Sequence, residues 1–548
     1  MKMKKLNRFD NLSRSIWDES QSLESSGINQ EKRRGISSFL CLLAVVLLCS
    51  IIMIGGASAV SVWDGKSIDT SFSGTGYESS PYQISTAAEL AGLAKLVNDG
   101  ESQSGIYFEL TDDIDLQNKL WTPIGYVVSP GAWIGGKSLP FKGNFNGNNH
   151  VVSNLYINLP DTDGVGLFGN IASAEILNLH IMNADVNGKS GVGALVGYVN
   201  SGNDVDIIGC TANGNIEGNE NVGGLVGWNN AIMYHLSVQE CQTSGIVTGK
   251  ESIGGLIGDG SGTTYKNCYS DSTVTGNENI GGLIGELRPV VGFAMNRCYS
   301  TGVVTGGDNV GGLIGKSGNG PQISECYSTA TVSGGKSVGG ILGYHYGVSS
   351  MLLSDSYSTS RVSGTECIGG IVGESRGVAS ISRCYAVGDI SGVTHVGGII
   401  GLSACPELNN RASSSINDCV ALNQHVTGIE GVGRLVGSCS NTNLIFCYAT
   451  TEMKNGDTLF PAENGGTSAN SVDNVKTLHP AQSFYDDENM LNWDFENTWK
   501  MSGKYPILMW QPDESVIDGF GSASSPGFSI VSLLLAGLVC VLICRTRK

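Results

Sequence analysis

At 548 residues the chain exceeds what one compact core supports, so several domains or a repeat array is expected. Its 78 glycines sit among plentiful Leu, Ile, Val and Phe, a composition that excludes both collagen and disorder and suits many short strands joined by tight turns. Residues 60–527 carry 45 acidic against 21 basic side chains, a surface that repels phosphate backbones, excludes nucleic acid as a partner and attracts hydrated cations.

Lys32, Arg33 and Arg34 precede an uncharged stretch, 36–54, which leads to Ala57-Ser58-Ala59. A basic start, an apolar run and a small-residue triplet form an export signal, with Ala57 and Ala59 as the cleavage determinants. The stretch is also long enough to cross a bilayer uncut. A cleaved signal peptide and a retained signal anchor therefore both remain open for residues 1–59.

Residues 60–160 are expected to form a mixed α/β N-terminal cap. Thr86-Ala-Ala-Glu89 is a capping box that opens a short helix with Leu90, Leu93, Ala94 and Val97 on one face, ended by Asn98-Asp99-Gly100. Strands are expected around Tyr107 to Leu110 and Val151 to Ile157, with turns at Asn144-Phe-Asn-Gly147. Asp112, Asp113 and Asp115 read either as a solvated turn or as calcium ligands; no further ligand spacing accompanies them.

Residues 161–450 are organised by a short motif, clearest in Val310-Gly-Gly-Leu-Ile-Gly315. Its ten copies end at Gly169, Gly197, Gly227, Gly258, Gly285, Gly315, Gly343, Gly373, Gly401 and Gly437, a period in the solenoid range. Between copies lies a second element, as in Cys298-Tyr-Ser-Thr-Gly-Val-Val-Thr-Gly306. From the cysteine position to the next closing glycine there are 17 residues in seven successive repeats, whereas the return path varies from 10 to 18. A parallel stack explains the asymmetry, because a length change in a laddered strand breaks pairing above and below, while an insertion in a loop does not. The expected fold is thus all-β, a right-handed parallel β-helix (β-solenoid), although the residues do not themselves set the handedness. The insertions should line up as a ridge formed by residues 286–297, 344–355, 374–383 and 402–418.

Eight cysteines share one repeat position: Cys210, Cys241, Cys268, Cys298, Cys326, Cys384, Cys419 and Cys447, with Ser356 in place of the missing member. They read as a column of buried small side chains, because Ser fits the same slot and parallel side-chain vectors suit disulfide torsions poorly. A disulfide or metal ladder is the competing reading. Cys405 and Cys439 lie in the variable path and could pair. Tyr269, Tyr299, Tyr327, Tyr357, Tyr385 and Tyr448 each follow the cysteine position and should stack on an adjoining face.

Residues 451–515 leave the repeat. Trp493, Trp499 and Trp510, with Phe495, Tyr505 and Pro506, are expected to form a Trp-rich C-terminal cap that closes the last coil; an aromatic platform for carbohydrate is the alternative. After a linker, 516–527, the stretch from Phe528 to Cys544 is uncharged and is followed by Arg545, Arg547 and Lys548, so residues 528–548 read as a transmembrane or sorting segment with a cytoplasmic basic stop.

The Val-Gly-Gly-Leu-Ile-Gly units resemble the GLUG motif repeats of bacterial and archaeal surface proteins, strongly over residues 164–437. The resemblance extends to the leading blocks Pro81-Tyr-Gln-Ile-Ser-Thr86, Ala91-Gly-Leu-Ala94, Asp112-Asp-Ile-Asp-Leu116 and Trp121-Thr-Pro-Ile-Gly125. It implies an exported β-helical protein of adhesion or envelope structure and brings no catalytic residues. Ala194 and Arg434 depart from the glycine before Leu, which implies looser packing near the ends of the array. Pro526-Gly527-Phe528 before a terminal apolar stretch is similar to the archaeal PGF sorting signal, which implies processing by a sortase-like peptidase and a lipid anchor; the short linker leaves a plain transmembrane anchor open.

No constellation argues for an enzyme. Gly335-Lys-Ser-Val-Gly339 and Gly373-Glu-Ser-Arg-Gly377 match the serine-nucleophile pattern without the strand-to-helix elbow it needs. The phosphate-loop match ending at Lys336-Ser337 lacks a following helix. The histidines at 150, 180, 235, 345, 395, 425 and 479 show no metal-ligand spacing, and no cofactor is expected. Arg288, Arg297, Arg376, Arg383 and Arg411 are scattered through the variable path. The expected function is that of an exported, membrane-anchored cell-surface structural or adhesive protein with the bulk of the chain extracellular, glycans or envelope components being its possible ligands. The alternative is an extracellular polysaccharide lyase or hydrolase on the same scaffold, which should show an Asp/Glu pair with Arg or Lys converging in a groove.

Overall fold

The computed structural model describes residues 62–512 apart from 128–137, 201–203, 231–235, 289–292, 319, 348, 405–413, 461–472, 476–479 and 488–490. Ala57, Ala59, Pro526, Gly527, Phe528, both apolar segments, Cys405 and Arg411 lie outside the described residues. No helix among the described residues is long and apolar enough to cross a membrane.

Strand makes up 53% of the structure and helix 4%, and the strands wind through about 11 turns of a parallel β-solenoid. One coil shows the plan. Ala294–Asn296 belongs to a first sheet, Tyr299–Ser300 and Val303–Thr305 to a second, Asp308–Gly311 to a third, and Ile314–Ser317 to a fourth. Each strand pairs in parallel with its copies one coil away: Met295 with Tyr265 and Ile323, Val310 with Ile280 and Val338, Ile314 with Ile284 and Leu342. The first sheet has thirteen strands, the third nine and the fourth ten, so one register persists along the array.

Side-chain alternation sets which residues fill the centre. Met295, Val304, Val310, Leu313 and Ile314 of that coil are buried, and their copies continue as one hydrophobic core. The closing glycines are there because the fourth sheet runs against the backbone of the third. A Cβ on Gly315 would stand 2.4 Å from Ile280 N, and one on Gly227, Gly258, Gly285, Gly343, Gly373 or Gly401 would meet backbone of the equivalent strand at 2.2–2.6 Å. The fixed 17-residue path is therefore a contact requirement as well as a ladder requirement. Ala194 and Arg434, the two departures from the glycine before Leu, are both buried.

Two corners per coil use left-handed backbone. The residue before the cysteine position has φ between 48° and 66° in each coil from Asn178 to Phe446, and the residue before the inward Val or Ile of the third sheet has φ between 54° and 63° from Gly191 to Gly431. At the first corner the side chains reach along the stack and pair: Arg297 with Glu325 at 2.9 Å and Arg383 with Asp355 at 2.6 Å. These arginines, read from sequence as scattered, are cross-coil ties.

The cysteine column lines the inside of the same corner. All eight members are buried and none forms a disulfide. Their thiols are more than small hydrophobes, because each turns back to a carbonyl two residues earlier: Cys326 Sγ to Ser324 O at 3.1 Å, Cys268 Sγ to Lys266 O at 3.3 Å, Cys298 Sγ to Asn296 O at 3.3 Å and Cys384 Sγ to Ser382 O at 3.3 Å. Ser356 makes the same bond to Ser354 O at 2.7 Å, and its Oγ also accepts from Cys326 N at 3.1 Å. What the position requires is a short donor, which explains the exchange of Cys and Ser. Cys326→Ser is expected to stay within about 1 kcal/mol of the parent, whereas Cys326→Val, bulkier and without a donor, should cost about 1–3 kcal/mol; thermal melts of the two variants check this.

At the N-terminus the helix Ala87–Asn98 is capped by Thr86 and Glu89 and buries Leu90, Leu93, Ala94 and Val97 against the main core. Tyr82–Ile84, Tyr107–Leu110 and Asn144–Asn146 are the first three strands of the first sheet. Residues 144–146, expected as a turn, are thus a strand, and the turn follows at Asn148 and Asn149, both at positive φ. The segment starts the solenoid as much as it covers it.

The C-terminal segment also departs from expectation. Tyr269, Tyr299, Tyr327, Tyr357 and Tyr385 stack with ring centroids 4.7–5.1 Å apart. The tryptophans lie along this stack instead of across the end of the last coil: Trp510 is 5.8 Å from Tyr327, Trp499 is 6.0 Å from Tyr385 and Trp493 is 6.1 Å from Tyr385. Tyr357 and Gln511 share a hydrogen bond, and Tyr385 donates to Pro506 O. A second core of Tyr327, Tyr357, Tyr385, Tyr448, Tyr485, Trp493, Trp499 and Leu508 results. Trp493 and Trp499 are buried in it and so cannot serve as an exposed carbohydrate platform.

Candidate functional site

Chemistry-bearing side chains gather in one seam, where outward residues of the fourth sheet lie beside the left-handed corner of the third. The residue after each closing glycine occupies one rung position, Tyr198, Trp228, Asp259, Glu286, Lys316, Tyr344 and Glu374 in successive coils. A position that faced only solvent would not bury such groups. Yet Asp259, Glu286 and Glu374 are 3%, 9% and 1% exposed.

The charges of Asp259 and Glu286 are met from the next coil, and that of Glu374 from its own. Arg288 Nε lies 2.6 Å from Asp259 Oδ2, and its guanidinium sits 5.3 Å from the Trp228 ring centre. Lys316 Nζ is 3.2 Å from Glu286 Oε1, while Glu286 Oε2 accepts from Ser252 Oγ at 3.0 Å and Asn279 at 3.4 Å. Glu374 accepts from both Ser337 and Arg376. The two matches to the serine-nucleophile pattern therefore meet in space, with Ser337 of one bonded to Glu374 of the other. Ser337 is part of a strand, Lys336–Gly339, and no helix follows it.

Burial pushes the Asp259 carboxyl up to about 6 from its ordinary 3.8, against the opposing pull of Arg288 and Ser261. A carboxyl whose folded pKa is raised holds its proton more tightly in the folded state, so its contribution is favourable at low pH and is lost as pH rises from about 4 through 6. The melting temperature of the parent should accordingly fall relative to Asp259→Asn across that window; a rise would show that the Arg288 pair outweighs desolvation.

His235 and His479 lie outside the described residues, and several of the other residues singled out from sequence have ordinary partners. Asp113 takes His150 and the Val151 N–H, and Asp115 takes Gln117 and Asn154, the bonds of a tied turn. His345 is buried, with Nδ1 3.1 Å from Ser317 Oγ, and burial lowers its pKa to about 4. His425 pairs with Asp389 at 3.1 Å. Glu366, Cys367 and His395, in contrast, come together with their ligand-type atoms all within 4.8 Å of one another. Sequence spacing missed this group because Cys367 and His395 are one coil apart; their shared position, one residue before the inward Ile368 and Val396, was the available signal.

The GLUG motif family matches the chain over residues 306–333. Over 157 residues the chain is 31% identical to halomucin of Haloquadratum walsbyi, a match that covers 28% of this chain and 2% of that protein. Over 173 residues it is 30% identical to a protein described as a Gly-rich membrane protein from Evansella cellulosilytica, covering 32% of this chain and 18% of the relative. The chain thus spans a small part of the length of the curated relatives it matches. A solved chain described as an immunoglobulin A1 protease from Bacteroides ovatus aligns with 80% of this chain and 95% of its own length, at 18% identity and a TM-score of 0.30. A second, described as IgA1 protease, aligns with 67% of this chain and 21% of its own length at 13% identity and 0.24. Scores this low carry no argument about activity.

Proposed function

We propose, from the GLUG motif at residues 306–333 and the ladder built around it, that this chain is an exported, membrane-anchored cell-surface protein of structural or adhesive role and that it is not an enzyme. The observation that carries the reading is how the repeat spends its fixed positions. Glycine, cysteine, tyrosine and aliphatic columns are all used in stacking coil on coil, and length varies in the connections between the fourth and first sheets, for example from the single residue 441 to the three residues 376–378. A scaffold of that kind extends by adding coils and offers loops to a partner.

The names of the two relatives, halomucin and a Gly-rich membrane protein, support a surface setting. The acidic exterior keeps such a chain soluble outside the cell. Its membrane contact would be the segment 528–548, held as a transmembrane anchor or exchanged for a lipid by a sortase-like peptidase, and its partners would be glycans or other envelope components.

A second reading, a glycan-cleaving enzyme, is favoured by one arrangement: Asp259 and Glu286 are adjacent rungs with Arg288 and Lys316 beside them. Against it, each of these two carboxylates is buried and engaged by a cation or hydroxyl of the chain itself, which leaves neither of them free to face a substrate. The deciding experiment is to express the full chain, expose intact cells to added protease, and screen the purified chain against a glycan array and acidic polysaccharides. Surface cleavage with glycan or whole-cell binding and no depolymerisation is expected. Depolymerisation abolished by Asp259→Asn would establish the enzyme, and protection from added protease would refute the surface assignment.

A further inference from the structure

The left-handed column of the third sheet is filled by Gly191, Asn221, Ser252, Asn279, Asn309 and Ser337 in successive coils, then by Cys367 and His395, then by Gly431. Gly and Asn suit that backbone, and Ser is small. Two adjacent rungs depart together, and both departures supply a soft or borderline donor. Cys367 Sγ lies 4.0 Å from His395 Nδ1 and 3.9 Å from Glu366 Oε1, and the three ligand atoms fall within 4.8 Å of one another. Around a tetrahedral Zn²⁺, sulfur at about 2.3 Å and nitrogen at about 2.0 Å stand roughly 3.5 Å apart. The two pairs that include the sulfur therefore need to close by about half an ångström and the Glu366–His395 pair by up to about 1.5 Å, which rotamer adjustment of Glu366 and His395 provides, since both are partly exposed while the thiol is buried.

We propose that Glu366, Cys367 and His395 bind one thiophilic divalent metal ion, Zn²⁺ being the fitting member of the class, with the fourth position left to solvent or to a donor from a bound partner. A thiolate, an imidazole and a carboxylate form a donor set that prefers Zn²⁺ over Ca²⁺ or Mg²⁺, which take oxygen. Glu366 and Glu374 are the acidic groups beside the thiol, and each is paired with a cation of the chain, Lys336 and Arg376. Lys336, whose Nζ is 3.2 Å from Glu366 Oε1, occupies the carboxylate when no metal does and competes with it. The ion would tie two consecutive coils at a corner that is otherwise joined by side-chain hydrogen bonds such as Asn309 to Asn279 at 2.9 Å.

The test uses the reduced full-length chain in detergent, titrated with Co²⁺ and then Zn²⁺. One equivalent of Co²⁺ is expected to give the near-ultraviolet thiolate-to-metal band and tetrahedral visible bands, both removed by one equivalent of Zn²⁺. Cys367→Ser and His395→Asn should weaken Zn²⁺ binding at least 100-fold in competition with a chromophoric chelator, and Asn is already accepted at this corner. Lys336→Met should tighten binding several-fold by freeing Glu366, a change that a purely structural cluster would not produce. A thiolate band that persists in Cys367→Ser would place the metal on another cysteine of the chain and overturn the proposal. Absence of stoichiometric binding in both the parent and Lys336→Met would overturn it too.

Discussion

Removal of residues 286–315, one full coil, is expected to leave a folded protein whose melting temperature moves by only a few degrees. The deletion joins Gly285 to Lys316, so each surviving strand meets an equivalent partner: Tyr265 takes Ile323 in the first sheet, and Ile280 takes Val338 in the third. Lys316 falls into the rung left by Glu286 and comes beside Asp259, replacing the lost Arg288 with another cation. The tyrosine stack closes over the missing Tyr299, which leaves the C-terminal aromatics supported by Tyr327, Tyr357 and Tyr385. Nearest-neighbour stability predicts a loss of one interface and no collapse. Removal of only 271–275 should be far worse, because it takes five residues from the strand Tyr269–Thr275 and unpairs the coils on both sides. Limited proteolysis of the two purified variants measures the contrast, with at least a tenfold shorter half-life expected for the smaller deletion. Equal resistance would mean that the register is not what holds the stack.

Gly315→Ala should be the most damaging of the single substitutions considered, at about 3 kcal/mol or more. Its added methyl would stand 2.4 Å from Ile280 N and 2.5 Å from Asn279 C, both backbone atoms in a laddered strand, so no side chain can swing away to make room. Gly315 has an ordinary negative-φ strand conformation, and the requirement is one of close approach between sheets. Val303→Thr, on the outer face of the same coil, is expected to stay within about 0.5 kcal/mol. Thermal melts with hydrogen exchange over 278–315 compare the two. A Gly315→Ala protein as stable as the Val303→Thr protein would show that the third and fourth sheets are not packed this closely.

The bonds of the cysteine column illustrate how sequence and structure divide the account. Recurrence of one slot, with Ser356 among the cysteines, was enough to argue for a small buried side chain and against a disulfide ladder. It did not show that the slot faces the carbonyl two residues back, which is a property of the left-handed corner. The same limit applies to the seam. Asp259, Glu286, Lys316 and Glu374 each follow a closing glycine, but only stacking at about 4.8 Å makes neighbours of residues some thirty positions apart and shows which of them are buried.

By itself the sequence determined the parallel stack, its period, the fixed and variable paths and the identity of the stacked columns, because a ladder repeated coil after coil forces equal spacing on everything that takes part in it. It determined the capped helix for a similarly local reason, the Thr86 and Glu89 pair. Tertiary structure alone decided where the tryptophans lie, which carboxylates are buried and paired, and that Glu366, Cys367 and His395 meet. Those outcomes depend on how one coil sits on the next and on which face a non-repeating segment folds back against; the positions of Cys367, His395 and the buried carboxylates recur along the chain, but the side chains that fill them do not.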